Sequence, residues 1–269
     1  MTRIAVLGAG KIGEALLGGL VKAGQPHDQL CFTERYPHRR QEVAELLGVR
    51  QLSVAEAAAE ADVLVIAVKP QDIEPLLAEL AEALRPGSLV VSLCAGLPTE
   101  LFERRLGDGV AVVRVMPNTP MVVGEAMSAM SPGRHVTEAQ LVEVERMLGT
   151  VGRVVRVPEN QQDAVTALSG SGPAYFFYLV EAMIEAGVLL GVQRQLAADL
   201  VIQSAVGAAR MLRESGEHPV VLREAVTSPG GTTAVALREL DRHGTRTALA
   251  AAIEAARDRS SELGIANAK

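Results

Sequence analysis

The first 158 residues alternate short, almost wholly apolar runs with amphipathic stretches of helical period, and the alternation stops at Val157-Pro158. Ile4-Ala5-Val6-Leu7 leads into a helix expected over 11–23. Leu30-Cys31-Phe32 leads into one over 37–47, with Pro37 at the first helical position, where a missing N–H does no harm. Val63 to Val68 precedes a helix opened by Pro70, Leu89 to Leu93 precedes one opened by Pro98, and Val110 to Val115 supplies a further strand. A strand that is apolar on both faces needs cover on both, and strands that alternate with helices form a parallel sheet. The pattern predicts an α/β fold with a Rossmann-type doubly wound sheet over residues 1–158. Ser53-Val54-Ala55-Glu56 and Thr137-Glu138-Ala139-Gln140 read as capping boxes and mark two helix starts independently.

From Glu159 onward no alternating strand is visible, only alanine- and leucine-rich helical text over 160–169, 173–190, 194–215, 218–226, 232–243 and 245–263. Residues 159–269 are therefore expected to form an all-α second domain, and a chain of 269 residues is long enough for two. Tyr175-Phe176-Phe177-Tyr178 holds four of the chain's seven aromatic residues, and four successive residues cover every face of a helical turn. The segment 196–212 is likewise apolar around most of its girth. A small helical domain cannot bury both alone, which predicts a homodimer through this domain; a compact monomeric bundle is the alternative.

With a formal charge of −6 and no stripe of Lys and Arg, the chain is not built for nucleic acid or an anionic membrane. Its partner is expected to be a small molecule. The longest uncharged stretch, Ala164 to Val180, is broken by Gly170, Gly172 and Pro173 and is shorter than the roughly 20 apolar residues of a spanning helix, so no membrane segment is expected. Met1-Thr2-Arg3 runs straight into an apolar strand without the layout of a secretory signal, which points to the cytoplasm. Cys31 and Cys94 lie inside apolar runs and read as buried reduced thiols, and the histidines at 27, 38, 135, 218 and 243 have no metal-ligand spacing.

Chemistry begins at Gly8-Ala9-Gly10-Lys11-Ile12-Gly13, a G-x-G-x-x-G run between the strand ending at Leu7 and the first helix. In that context Gly8 makes the tight turn, Gly10 admits a pyrophosphate against the backbone, and Gly13 lets the helix pack on the strand. The cofactor is expected to be a dinucleotide. At the end of the second strand, Thr33-Glu34-Arg35-Tyr36-Pro37-His38-Arg39-Arg40 carries two opposed signals. Glu34 lies where an acidic residue holds a free ribose 2′-OH, whereas Arg35, Arg39 and Arg40 suit a 2′-phosphate. The balance favours NADPH, with NADH tolerated. Ala67-Val68-Lys69-Pro70 and Cys94-Ala95-Gly96 fall at the carboxyl ends of later strands, where an open sheet binds ligands, and are expected to wall the ribose and nicotinamide. Met116-Pro117-Asn118-Thr119-Pro120 closes the next strand and is expected to frame the cleft.

The second chemical signal is Thr227-Ser228-Pro229-Gly230-Gly231-Thr232-Thr233, which opens an apolar helical run with backbone N–H groups, hydroxyls and no charged side chain. A helix N-terminus carries roughly half a positive charge and unpaired donors, so it seats a small anion without lysine or arginine. Taken alone, the same text also fits an ordinary Pro-Gly turn with Ser/Thr caps.

These segments, together with Asp163-Ala164-Val165-Thr166-Ala167-Leu168-Ser169-Gly170-Ser171-Gly172-Pro173-Ala174-Tyr175, closely resemble the Δ1-pyrroline-5-carboxylate reductases of proline biosynthesis. The likeness covers nearly the whole chain, and its last two segments are its most specific. The resemblance implies reduction of a cyclic imino acid to L-proline by NAD(P)H, and a Rossmann domain joined to a helical dimerisation domain whose dimers gather into rings. It also implies that Ser228, Gly230, Gly231, Thr232 and Thr233 hold the substrate carboxylate, with the Thr233 hydroxyl near the imine nitrogen. Val54 stands where an asparagine often approaches the adenosine in this family, and Ala225 where one can precede the substrate loop. Leu7, Gly8, Ala9, Gly10, Lys11, Ile12, Gly13, Thr33, Arg35, Ala67, Val68, Lys69, Pro70, Cys94, Ala95 and Gly96 are the expected cofactor contacts.

Hydride addition to C=N goes best to the protonated iminium, so positioning donor and acceptor carbons about 3–3.5 Å apart is the main task and no strong base is needed. A β-hydroxyacid-type dehydrogenase shares the two-domain plan. That chemistry resembles one needing a lysine on the helical domain, and the chain's lysines are only at 11, 22, 69 and 269. A catalytically silent NADP-sensing dimer is the third reading, and it leaves the anion seat without a purpose.

Overall fold

The expected strands form as Ile4–Leu7 (β1), Leu30–Thr33 (β2), Val63–Ile66 (β4), Leu89–Ser92 (β5) and Ala111–Met116 (β6), with the two-residue Arg50–Gln51 (β3) at one edge. In this computed structural model, which describes residues 2–267, they belong to one eight-stranded sheet of order β3-β2-β1-β4-β5-β6-β7-β8. Its last two strands, Ala126–Pro132 (β7) and Gly152–Arg156 (β8), are absent from the sequence reading. The sheet is not uniformly parallel, because β7 runs antiparallel to β6. Only a short 3-10 segment, Thr119–Val123, links the two strands, and a parallel return needs a crossover of a dozen residues or more.

Two apolar layers cover the sheet, as fully buried strands require. On one face, Val6, Phe32, Val65, Val91 and Val113 pack with Leu16, Leu17 and Leu20 of the helix Lys11–Lys22 (α1) and with Val144 and Leu148 of Glu138–Gly149 (α6). On the other, Leu7, Leu64, Ile66 and Val90 pack with Ala57 and Ala58 of Val54–Glu60 (α3), Leu77 and Leu80 of Ile73–Ala83 (α4), and Leu101 and Phe102 of Thr99–Leu106 (α5). The helix Pro37–Leu47 (α2) adds Val43 to the first layer. Both capping boxes are present, Ser53 with Glu56 and Thr137 with Gln140.

By compactness the chain divides into two units, one running to Ser171 and taking up the residues from Ala256 onward, the other Gly172–Ala255. Strand text ends at 158, yet 159–171 stays with the sheet because its polar groups are bound there. Gln162, fully buried in Gln162–Val165 (α7), donates from Nε2 to the Ala129 carbonyl at 3.2 Å and to Ser131 Oγ at 2.8 Å on β7. A π-helical turn, Thr166–Gly170, follows.

The second unit is all-helical, with Gly172–Leu189 (α8), Arg194–Ser215 (α9), Pro219–Ala225 (α10), Thr232–Arg242 (α11) and the first part of Thr245–Asn267 (α12). The aromatic turn of α8 is not buried in the single chain: Phe176, Phe177 and Tyr178 are 66%, 68% and 72% exposed, and Leu189 at the helix end is 88% exposed. No helix among the described residues is long and apolar enough to cross a membrane.

Candidate active site

The carboxyl ends of four adjacent strands lie level in the sheet, because Leu7 pairs with both Thr33 and Ile66, and Ile66 with Ser92. Strand order reverses between β1 and β4, the switch point at which an open sheet leaves a crevice for ligands. Gly8 turns out of β1 at φ +101°, a conformation open to glycine, and a methyl there would stand 2.9 Å from the Ala67 carbonyl oxygen and from Val68 Cγ1. Its N–H donates to the Thr33 carbonyl at 2.9 Å, so Thr33, buried, serves through its backbone. Leu7 lies wholly in the core and accepts from Ala67 N–H at 2.8 Å.

Gly10 is the N-cap of α1, and no side chain caps it. A methyl on Gly10 would meet no atom within 4 Å, whereas one on Gly13 would run into the Gly8 carbonyl. The first bond of the helix ladder runs from Glu14 N–H to Gly10 C=O, which leaves the N–H groups of Lys11, Ile12 and Gly13 outside it. The result is an open concavity of unpaired donors over Gly10 at the positive end of a twelve-residue helix, and it fits a dinucleotide pyrophosphate. Ala9 is buried and does not share in it: its N–H donates to Glu34 Oε2 at 3.1 Å, and its carbonyl accepts from Arg39 Nε at 2.9 Å.

At the end of β2 the structure separates the three arginines that the sequence groups together. Arg39 is spent on the Ala9 carbonyl, Glu42 and Glu14, and Arg40 on the carbonyls of Glu34 and Arg35. Both hold the loop. Only the Arg35 guanidinium stands out, with a side chain 62% exposed, bonded to Asp72 at 2.7 Å and lying 4.7 Å over the Tyr36 ring. The Glu34 carboxylate accepts from Ala9 N–H and Tyr36 N–H and so braces the turn. Asp72, which orients Arg35, has no local signature in the sequence.

After β4, Ala67 and Val68 are half-buried and Lys69 is exposed, and Pro70 opens a 3-10 turn through Asp72. After β5, Ala95 is exposed while Cys94 and Gly96 are buried. The Cys94 thiol turns inward onto the Val68 carbonyl at 3.3 Å, joining the two loops, and burial pushes its pKa up to about 11. Cys94 thus offers backbone, not sulfur, to a ligand. Asn118 ties three segments together: its Nδ2 donates to the Ser169 carbonyl at 3.1 Å and its Oδ1 accepts from Met127 N–H at 2.8 Å.

In the helical unit, Gly230 takes φ +70° and Gly231 caps α11 with extended backbone. A side chain on Gly231 would collide with the Ser228 hydroxyl, and Gly231 N–H closes the turn on the Ser228 carbonyl at 3.0 Å. Val235 N–H bonds Gly231 C=O, so the N–H groups of Thr232, Thr233 and Ala234 precede the ladder, and no side chain caps the helix. Ser228 and Thr232 are exposed and Thr233 is half-buried. The loop can accept one carboxylate through N–H and O–H donors alone. Ala225 is the exposed last residue of α10, and Val54 packs against the α3–α5 core layer.

Residues 159–263 match the family described as pyrroline-5-carboxylate reductase dimerisation, and residues 3–96 match the NADP oxidoreductases described as coenzyme F420-dependent. A pyrroline-5-carboxylate reductase of Mycobacterium tuberculosis is 46% identical, with 98% of each chain covered. A solved pyrroline-5-carboxylate reductase from Coxiella burnetii superposes with a TM-score of 0.93 at 37% identity, covering 97% of this chain and 98% of its own. The Plasmodium falciparum pyrroline carboxylate reductase, solved with NADP bound, gives 0.87 at 30% identity over 98% of both. Identity sustained from the glycine cradle through the helical unit leaves one assignment: the chain belongs to the pyrroline-5-carboxylate reductase family.

Proposed function

We infer that this protein reduces Δ1-pyrroline-5-carboxylate to L-proline, with NADPH as the preferred hydride source and NADH tolerated. The observation that carries the reading is the uncapped, uncharged N-terminus of α11 at Ser228 to Thr233, in a chain whose first βα turn is an open pyrophosphate cradle. The nicotinamide cofactor, held by Gly8, Gly10, the first-turn N–H groups of α1 and Arg35, supplies a hydride when bound. Ser228, Gly230, Gly231, Thr232 and Thr233 seat the substrate carboxylate. The ring nitrogen enters protonated, the hydride bonds to the imine carbon, and the C=N π pair passes to nitrogen. The product amine then takes up a proton from solvent. A loop without lysine or arginine holds the carboxylate without placing a second cation beside the iminium.

Thr233 is proposed to hydrogen-bond the ring nitrogen. Its replacement by alanine is expected to lower kcat/KM about tenfold or more, and an unchanged turnover together with an unchanged substrate affinity refutes the role. The reaction is tested by NADPH oxidation with pyrroline-5-carboxylate, run beside NADP⁺ reduction with 3-hydroxyisobutyrate-type acids. Turnover only of the latter favours the dehydrogenase reading, and silence with both favours the sensor.

The exposed aromatics of α8 support a homodimer through the helical unit, and the family resemblance supports rings of such dimers. A cytoplasmic setting is supported by Cys31 and Cys94, which are buried and unpaired.

A further inference from the structure

The loop Cys94-Ala95-Gly96 is held at its entry, where the Cys94 thiol meets the Val68 carbonyl and Cys94 N–H meets Ser92 Oγ at 3.3 Å. At its exit α5 begins, and Glu159 caps that helix: its carboxylate accepts from Thr99 N–H and from Thr99 Oγ1, both at 2.8 Å. The third support comes from the other end of the chain. Gly96 is buried at φ +76°, and a methyl on it would stand 3.4 Å from the Gly264 backbone nitrogen and 3.7 Å from Leu263 Cβ. A methyl on Gly264 would in turn stand 2.8 Å from the Gly96 carbonyl oxygen, closer than real Cβ contacts come. The two backbones therefore pack closely, with no room for a side chain on Gly264 and a positive φ that disfavours one on Gly96.

One turn earlier on α12, Ser260 is 5% exposed and donates from Oγ to Asp163 Oδ1 at 2.7 Å. Arg114, 8% exposed, links the two supports, with its guanidinium 3.9 Å from Asp163 and 3.5 Å from Glu159. A buried cation shared by two carboxylates makes the helix cap and the α12 anchor one network.

We propose that the last turns of α12 are a clasp that fixes the height of the loop Cys94-Ala95-Gly96 against the bound nicotinamide, with Ser260 and Gly264 as positioning residues. The proposal rests on the reading of that loop as the nicotinamide wall. Ser260 anchors the helix, Gly264 supplies the contact, and Ala95, exposed at the crest of the loop, takes the position that the clasp sets.

The test uses the full chain and three variants, Gly264→Ala, Ser260→Ala and Ala95→Leu, each checked for a native melting transition. Each clasp variant is expected to raise KM for NADPH and lower kcat about tenfold, since misplacement of a reacting group by fractions of an ångström is enough for that. Both are expected to weaken the fluorescence enhancement of bound NADPH while leaving the affinity for 2′,5′-ADP, which carries only the adenosine end, unchanged. If Ala95→Leu impairs turnover but both clasp variants match the wild type, the clasp is wrong and the nicotinamide wall stands. If Ala95→Leu is silent, the wall reading fails and takes the clasp with it. Equal losses of 2′,5′-ADP and NADPH affinity mean a general structural role and overturn the proposal. Should Gly264→Ala fail to fold, Ser260→Ala, which deletes one hydroxyl, decides alone.

Discussion

Gly10→Ala separates folding from cofactor binding. In the protein as it stands, Gly10 has φ −67° and ψ −173°, which alanine adopts without strain, and an added methyl meets nothing within 4 Å. Loss of glycine's freedom in the unfolded chain stabilises by about 0.4–1 kcal/mol. Alanine is a poorer N-cap than glycine by a similar roughly 0.5–1 kcal/mol, so the two terms nearly cancel. The melting temperature is expected to stay within about 2 °C of wild type. The same methyl projects into the cradle where the pyrophosphate must touch backbone, and overpacking there costs about 1–3 kcal/mol, so Kd for NADPH is expected to rise roughly 5- to 150-fold. Gly8→Ala gives the opposite profile. Its φ of +101° is costly for alanine by about 1–2 kcal/mol, and the clash with the Ala67 carbonyl and Val68 adds about 1–3 kcal/mol more, so it should melt at least 4 °C lower. Thermal melts and NADPH fluorescence titrations on both variants check this. A Gly10→Ala protein that binds NADPH with wild-type Kd refutes the placement of the pyrophosphate, whatever its stability.

Arg35→Ala is expected to raise KM for NADPH about tenfold and leave KM for NADH within twofold, because Arg35 is the one arginine of its loop with an outward guanidinium; equal losses with both cofactors refute the 2′-phosphate assignment. The Cys94 thiol, raised to about 11 by burial, favours the neutral form in the folded state. Its stabilisation is thus complete below the ordinary thiol value of 9.0 and is lost as pH rises toward 11, by roughly 2–3 kcal/mol in full. Denaturation curves of wild type and Cys94→Ala should therefore converge between pH 9 and pH 11, apart from the constant effect of the lost side chain, and a pH-independent difference sinks the account. Phe177→Glu, on a residue 68% exposed in the single chain, is expected to shift the mass measured by light scattering to that of the monomer.

The helices and strands β1, β2, β4, β5 and β6 were legible because their signals are local: apolar runs, Pro37 and Pro98 at helix starts, and two capping boxes. Strands β3, β7 and β8 were not. The β7 text, Ala-Met-Ser-Ala-Met-Ser-Pro, is poor in β-branched and aromatic residues, and it is a strand because β6 presents an unpaired edge beside it. The same division runs through the site. Gly8, Gly10 and Gly13 announce the cradle from their spacing. Adjacency in sequence does not divide the arginine cluster, because it does not show that Glu14, Glu42 and three backbone carbonyls occupy Arg39 and Arg40 while Arg35 meets Asp72 and Tyr36.

Composition, periodicity and spacing by themselves determined a doubly wound sheet followed by helices, a glycine-rich turn at the first βα junction, and an uncharged Ser-Pro-Gly-Gly-Thr-Thr loop at the start of α11. Each rests on interactions between residues a few positions apart, which a linear reading can sum. Tertiary structure alone decided which arginine points outward, that residues 159–171 stay with the sheet, and that Ser260 reaches Asp163 and Gly264 reaches Gly96. Those partners are far apart in the chain. Their pairing depends on how buried polar groups find donors and acceptors once the layers have closed, and no local pattern encodes that choice.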